Sequence, residues 1–179
     1  MDLYTALQNR RSIRKYKPDP VPRELLKKVL ESARLAPSWA NKQCWSFIVV
    51  EDEKKQEKLA ATLHEGNPAA KAVKQAPVTI TACADPSASG TIDGKEYYLL
   101  DTGLAIQQLM LAAQAEGLGT CWVAWFDEKA AREVINVPQQ QKIVALTPLG
   151  FPAREGTVTP RRELAEIVYH EEWGNKTTM

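Results

Sequence analysis

The sequence predicts an α+β fold or a mixed three-layer α/β sandwich, and three observations support this. Helical periodicity recurs along the chain, so that helix exceeds strand. Compact apolar runs at 45–50, 78–84 and 142–149 are typical of buried strands. The longest helical pattern, 97–116, is apolar on most of its faces and therefore belongs in the middle of a core or across a subunit interface.

Apolar spacing and prolines define the first elements. Residues 2–8 are predicted as a short helix with its apolar side chains on one side. Three prolines between 18 and 22 exclude regular structure there. A second helix begins at Arg23 with an apolar stripe and stops before Pro37.

The middle of the chain alternates helix and strand. Asp52 is placed to cap a charged amphipathic helix that reaches Leu63. A second short helix is predicted over 68–75, with Pro68 in its first turn. After the strand at 78–84, residues 86–95 are predicted to form a loop that contains two glycines.

The last elements follow the long helix, which Gly117 and Gly119 are expected to end. Residues 120–125 are predicted as a strand, Asp127 as the cap of a helix over 128–135, and 142–149 as a further strand. No repeat or Gly/Ser linker divides the 179 residues. We therefore expect a single domain, 1–179, with a substantial core.

Composition excludes several classes of function. The formal net charge of +1 creates no bulk field for nucleic acid or an anionic membrane. No apolar run approaches the roughly 18 residues that span a bilayer, and the N-terminus lacks a signal-peptide pattern. Three widely spaced cysteines, Cys44, Cys83 and Cys121, indicate a reducing compartment rather than a disulfide framework. A cytoplasmic, soluble protein without nucleic-acid or membrane partners is expected.

The motifs of hydrolytic and metal chemistry are missing from the sequence. It has two histidines and neither HExxH nor Cys-x-x-Cys, so no metal site is predicted. It also lacks a G-x-S-x-G elbow, a P-loop and a dinucleotide fingerprint. A Cys/His nucleophile pair stays open, although the cysteines lie in apolar runs that favour inert burial. A cofactor with its own reactive centre, such as a flavin, would account for this pattern.

The first candidate binding segment is R-R-S-I-R at 10–14. Its three guanidiniums and one hydroxyl offer fork-shaped donors for a phosphate or another anion. If the segment is extended, Arg10, Ser12 and Arg14 point to one face and Arg11 to the other. The alternative is a solvated basic patch.

Two further segments carry candidate binding groups. The loop A-P-S-W-A-N-K-Q-C-W-S-F at 36–47 supplies neutral hydrogen-bonding groups from Ser38, Asn41 and Gln43, which suit the edge of a heterocycle. As an alternative, it is a plain helix-to-strand connection. Near the end, Arg161 and Arg162 either close the same anion site or lie in a surface loop.

Together with D-T-G-L-A-I-Q-Q-L-M-L-A-A-Q-A-E-G-L-G-T-C-W and G-F-P, these segments resemble the FMN-dependent nitroreductase family over essentially the whole chain. The motifs occur in the family's usual order and spacing. The resemblance implies an α+β three-layer sandwich, with a central mixed or antiparallel sheet flanked by helices. It also implies a homodimer that binds FMN between its subunits. The implied reaction is two-electron transfer from NADH or NADPH to nitroaromatics, quinones or related small-molecule acceptors.

Carried over residue by residue, the resemblance implies cofactor-binding positions and no catalytic side chain, because the chemistry takes place on the flavin. Arg10 and Ser12 bind the FMN phosphate together with Arg161 or Arg162. Arg14 faces the pyrimidine edge of the ring as an electrostatic tuner. The other implied contacts are Arg11 close to Arg14, Pro37, Ser38 and Asn41 from the other subunit, Asn67, Lys71, and Trp122 and Ala124 within the segment 122–125 that passes the ring.

Two departures from the family pattern bear on the prediction. The family commonly has Gln-Pro-Trp where this chain has Gln43-Cys44-Trp45, so the turn is less rigid. Little room exists between Ala84 and Tyr97 for a long lid, which leaves substrate specificity open. Two other functions also stay open: a flavin-binding store or sensor without broad turnover, and a flavin-free anion-binding module.

Overall fold

A computed structural model describes residues 1–176 of the chain, and within them helices and strands alternate. The helices are α1 (Leu3–Asn9), α2 (Arg23–Arg34), α3 (Glu53–Ala61), α4 (Ala70–Gln75), α5 (Tyr97–Ala115), α6 (Glu128–Ile135) and α7 (Leu164–Ile167). The strands are β1 (Trp45–Val50), β2 (Val78–Ala84), β3 (Thr91–Ile92), β4 (Lys95–Glu96), β5 (Gly119–Thr120) and β6 (Lys142–Gly150). Short 3-10 turns cover Trp39–Asn41 and Pro86–Ala88.

Side-chain caps explain where several helices begin. The carboxylates of Asp52 and Asp127 accept hydrogen bonds from backbone N–H groups in the first turns of α3 and α6, as the sequence predicted. Asp2 does the same for α1. At the C-terminal end of α5, Gly117 adopts φ +77°, and the Leu118 N–H donates to the Ala113 carbonyl oxygen at 2.8 Å. This left-handed exit is one that glycine adopts without strain.

The main sheet within residues 1–176 has the order β1-β2-β6-β5, with every neighbouring pair antiparallel. The N-terminal segment before α2 lies along its β5 edge. Ser12 forms a parallel bridge with Thr120, and Tyr16 an antiparallel bridge with Pro152. This placement brings the first basic segment of the chain against the end of the sheet.

Helices cover both faces of the sheet and form two apolar clusters. On one face, α2 and α5 pack against the sheet through residues such as Val29, Leu109 and Ile80. On the other face, α3, α4 and α6 pack through residues such as Leu59 and Leu146. The predicted α+β three-layer sandwich is confirmed.

The strand predicted over 120–125 is shorter than expected. Strand β5 pairs with β6 only as far as Thr120. Pairing resumes at Val123, which exchanges two backbone hydrogen bonds with Leu146. Pro148 directs its backbone groups to the same side as Leu146 but has no N–H to donate. The gap at Cys121 and Trp122 therefore follows from this proline on the partner strand.

The loop predicted over 86–95 is more ordered than expected. It contains a 3-10 turn and the short β3–β4 hairpin, whose turn is formed by Asp93 and Gly94 at φ +52° and +75°. Two positive φ values in a two-residue turn are typical of the Asp-Gly hairpin connection. Two smaller predictions also need correction: Pro68 lies just before α4 rather than in its first turn, and Gly119 lies in β5, packed against Ile13.

No helix in the part of the chain that the structure describes is both long and apolar enough to cross a bilayer.

Candidate functional site

The R-R-S-I-R segment is extended, and its side chains alternate. The Ile13 N–H donates to the Thr120 carbonyl oxygen at 2.8 Å, and the Ile13 side chain is buried. Ser12 and Arg14, on either side of it in sequence, are exposed. The alternation that an extended segment predicts is therefore present at Ser12, Ile13 and Arg14.

Tyr16 anchors the end of this segment. Its hydroxyl lies 2.7 Å from the Ile13 carbonyl oxygen and 3.1 Å from that of Pro148, so it can donate to either. Burial raises the pKa of the phenol, which stays protonated. Tyr16 thus joins the basic segment to β6 and restricts its movement.

A cavity of about 190 Å³ lies beside the segment. Basic and hydroxyl side chains from both ends of the chain surround it, with one carboxylate. The lining residues are Arg10, Arg11, Ser12, Ile13, Arg14, Lys15, Arg154, Glu155, Thr157, Thr159 and Arg161. We call this space the anion cavity, because its positive charges greatly outnumber its single negative charge.

The electrostatics of Arg10 support that name. Burial lowers the pKa of its guanidinium, and the positive charges of Arg161 and Arg11 lower it further. Clustered guanidiniums repel one another, and a bound anion would offset this repulsion. The anion cavity is therefore suited to a small multivalent anion such as a phosphate.

The C-terminal side of the anion cavity is closed by tight packing. A Cβ atom at Gly156 would lie 2.3 Å from Cβ of Arg11, so only glycine fits there without displacing the backbone. The Arg11 guanidinium donates to the Gln8 carbonyl oxygen at 2.5 Å, at the end of α1. Arg11 thus supports the wall of the cavity as well as contributing charge.

The structure distinguishes the two arginines of the closing pair. Arg161 lines the anion cavity, and its guanidinium donates to the Thr159 carbonyl oxygen at 3.0 Å. Arg162 points elsewhere and forms an ion pair with Glu166 at 3.3 Å. Sequence reasoning missed Arg154, although it is a basic residue shortly after G-F-P.

The amide-rich loop between α2 and β1 has an unusual backbone. Ala40, Asn41 and Gln43 all have positive φ, at +46°, +56° and +50°. The Ser38 hydroxyl oxygen accepts a hydrogen bond from the Gln43 N–H at 2.9 Å, which closes the turn. Pro37 and Asn41 are exposed. Non-glycine residues hold such conformations only where the surroundings determine them.

Asp101 is the main determinant of that loop, and sequence reasoning missed it. Its side chain lies in α5 and is 2% exposed. It accepts hydrogen bonds from the Trp39 N–H and the Ser89 hydroxyl, both at 2.9 Å, while the Cys44 sulfur lies 3.8 Å away. One buried carboxylate thus holds the loop to α5 and to the turn after β2.

Several predicted site residues lie away from the anion cavity. Within residues 1–176, its lining does not include Pro37, Ser38, Asn41, Asn67, Lys71, Trp122, Ala124 or Arg162. Asn67 uses its side chain locally: its Nδ2 donates to the Trp125 carbonyl oxygen at 2.8 Å, and its Oδ1 accepts from the Ala69 N–H at 3.0 Å. Lys71, Trp122 and Ala124 are exposed.

The three cysteines are buried and unpaired. Burial raises the pKa of each thiol, and for Cys83 it does so to about 11. The carboxylate of Asp101 adds to the increase at Cys44, whereas the charge of Arg14 partly offsets it at Cys121. All three are therefore protonated at neutral pH and poor nucleophiles.

These thiols should react slowly in the folded protein. With an aromatic disulfide reagent at pH 8, we expect little release of thiolate before unfolding and three equivalents after addition of guanidinium chloride. Cys44→Ala should retain bound flavin and turnover. Rapid labelling of one thiol in the native state would contradict this assignment.

Comparisons with known proteins agree with the fold and the motifs. A family model described as "Nitroreductase family" matches residues 7–75 and 65–151. The crystal structure of a nitroreductase family protein from Clostridium novyi NT is 38% identical, with a TM-score of 0.82 over 98% of this chain and 97% of that one. An FMN-dependent nitroreductase from Clostridium difficile R20291 is 29% identical, with a TM-score of 0.81 over 94% and 98%. An NADH dehydrogenase from Thermus thermophilus is 31% identical over 94% of this chain and 95% of that protein.

Proposed function

Because this chain belongs to the nitroreductase family, we propose that it is an FMN-dependent oxidoreductase. NADH or NADPH donates two electrons, and nitroaromatic compounds, quinones or similar small molecules accept them. One site serves donor and acceptor in turn, because the sequence has no second nucleotide-binding motif. The three unpaired thiols support a cytoplasmic location.

The anion cavity is the observation that carries this proposal. Five arginines and three hydroxyl side chains converge on about 190 Å³, a size and charge that fit a terminal phosphate. Arg10, Ser12 and Arg161 would hold the phosphate through charge-assisted and neutral hydrogen bonds. The cavity lacks the glycine-rich turn and helix N-terminus that dinucleotide-binding folds use, which favours FMN over FAD.

FMN, once bound, supplies the two-electron carrier, and the protein orients it and tunes it. Ser38 and Asn41 offer neutral hydrogen-bonding groups for the edge of the ring system. Arg14 lies at the rim of the anion cavity, close enough to Cys121 for its charge to influence that thiol. A guanidinium there favours negative charge on the adjoining part of the cofactor.

Two measurements test the proposed function. Heat should release a yellow cofactor that chromatography identifies as FMN, and anaerobic NADH or NADPH should bleach it. Steady-state rates with varied NADH and menadione should give parallel double-reciprocal lines, as ping-pong exchange requires. Release of FAD, or a protein that binds no flavin even after FMN is added, would refute the proposal, and intersecting lines would refute the shared site.

Arg14 should affect the redox potential more than cofactor binding. Arg14→Ala should lower the midpoint potential of bound FMN by about 20–30 mV. For a two-electron couple, losing about 1.4 kcal/mol of stabilisation of the reduced, negatively charged cofactor corresponds to about 30 mV. The rate of reduction by NADH should fall as well, with a smaller change in FMN affinity. Spectroelectrochemistry measures the shift, and an unchanged potential would assign Arg14 to phosphate binding alone.

We propose further that the chain forms one domain and acts as a homodimer. The supporting observation is a set of exposed apolar side chains on α1 and α5, two helices that pack together. It consists of Leu3, Tyr4, Leu7, Leu99, Leu100 and Leu104. Large apolar side chains exposed on a helix are often buried in a protein interface. Because Pro37, Ser38 and Asn41 do not line the anion cavity, a second copy would bring its own loop to the cofactor.

Light scattering at micromolar concentration with FMN should therefore give about twice the 19.9 kDa chain mass. Leu100 is 57% exposed, so Leu100→Glu combined with Leu104→Glu should disrupt the dimer without affecting the core. The resulting monomer should lose most of its FMN. A wild-type mass of one chain, or a monomeric variant that keeps its flavin, would contradict the proposal.

A further inference from the structure

An exposed aromatic pair lies outside the anion cavity. Trp125 is 56% exposed and precedes α6, whereas His64 is exposed in the connection between α3 and α4. Their ring centroids are 5.8 Å apart, and the ring planes are inclined by 40°. Large aromatic side chains held at a surface with one face free are typical of binding sites.

A side-chain hydrogen bond and a short backbone bridge hold this pair in place. The Asn67 side chain donates to the Trp125 carbonyl oxygen at 2.8 Å, and the Asp127 N–H donates to the Thr62 carbonyl oxygen at 2.8 Å. Between them, the buried residues Leu63 and Phe126 form an antiparallel bridge. The two segments are therefore joined on both sides of the aromatic pair, and the rings project from a rigid base.

The same segment leads from the aromatic pair to the anion cavity. Thr120 pairs with Ser12, and Cys121 lies close to Arg14, at the rim of the cavity. From Cys121 the chain runs through Trp122 and Val123 to Trp125, a span of at most about 14 Å when extended. A flat cofactor whose phosphate occupies the anion cavity and whose ring follows this segment would end near Trp125.

We propose that Trp125 and His64 form an aromatic wall against which the electron acceptor stacks. This assignment rests on the proposed function and deepens it, because it selects flat aromatic acceptors, such as nitroarenes and quinones, over compact inorganic ones. Trp125 provides the larger stacking face, and the His64 ring lies beside it. Asn67 is a positioning residue, since it fixes the backbone of Trp125.

Binding without turnover is the first test. Calorimetric titration of the purified oxidised protein with 4-nitrobenzoate, in the absence of NADH, should show about three- to tenfold weaker binding for Trp125→Ala. Trp125→Phe should retain most of the affinity, and Asn67→Ala should lose about twofold. Trp173→Ala is the matched control, because Trp173 is also exposed but lies in the C-terminal segment. This variant should bind 4-nitrobenzoate as tightly as the wild type. Equal affinity of wild type and Trp125→Ala would overturn the assignment.

Acceptor selectivity is the second test. In Trp125→Ala the ratio of kcat/KM for menadione to kcat/KM for ferricyanide, which needs no stacking surface, should fall about three- to tenfold through a rise in the KM for menadione. Equal loss with both acceptors would show that Trp125 maintains the fold, and this too would overturn the assignment. Flavin content and anaerobic reduction by NADH are measured separately, so their failure in the wild type would count against the proposed function instead.

Discussion

Replacing Arg10 with alanine is expected to weaken FMN binding by about ten- to a hundredfold while the chain stays folded. A charge-assisted hydrogen bond to phosphate is worth about 1.5–3 kcal/mol, which corresponds to that range. Fluorescence titration of flavin into the apoprotein measures the dissociation constant. Arg161→Ala should have a comparable effect, because both side chains line the anion cavity.

A second readout separates loss of a ligand contact from loss of structure. Burial and the neighbouring positive charges lower the pKa of Arg10, so its charge is unfavourable in the unliganded fold. The apo form of Arg10→Ala should therefore melt at the same temperature as the wild-type apo form or slightly above it. Arg162→Ala is the matched control, since Arg162 pairs with Glu166, and its FMN affinity should be unchanged. If Arg10→Ala bound FMN as tightly as the wild type, Arg10 would not contact the phosphate.

Replacing Asp101 with alanine is expected to have the largest effect on stability. It leaves the Trp39 N–H and the Ser89 hydroxyl without their acceptor inside the protein. Loss of a buried acceptor should lower the free energy of unfolding by about 2–3 kcal/mol, or about 5–10 °C in Tm. FMN affinity should fall as well, because the same carboxylate fixes the loop that carries Ser38 and Asn41.

The conservative variant sharpens this prediction. In Asp101→Asn, the amide oxygen can still accept from the Trp39 N–H, and the amide NH₂ can donate to the Ser89 oxygen, so about half the stability should return. Asp19→Ala, at an exposed position, should leave Tm unchanged. Chemical denaturation and differential scanning calorimetry measure the difference. A Tm for Asp101→Ala within 1–2 °C of the wild type would show that water replaces the carboxylate without cost.

Sequence reasoning predicted the elements that depend on local chemistry. Strand β2 has its predicted bounds because its apolar run is short and ends at polar or proline residues. The caps Asp52 and Asp127 act on N–H groups three residues further along the chain, so their spacing is visible in the sequence. The basic cluster at 10–14 was visible for the same reason.

The features that sequence reasoning missed depend on distant partners. Asp101 stands out in an apolar helix as one polar residue, but its role depends on Trp39, which is 62 positions away. The short β5 depends on Pro148 of the opposite strand, whose effect appears only once the register is known. The β3–β4 hairpin is the exception, because its turn depends on Asp93 and Gly94, an adjacent pair that favours a tight turn.

Because residues from 10–15 and from 154–161 together line the anion cavity, a phosphate can be held there only after most of the chain has been synthesised. A nascent chain already contains every strand of the main sheet at Gly150, before the residues that complete the cavity have been translated. At about 5–20 residues per second, the ribosome adds those last residues in about one second. The cavity is therefore completed only after the last strand of the sheet is part of the chain, and we expect the chain to fold as an apoprotein that FMN fills later.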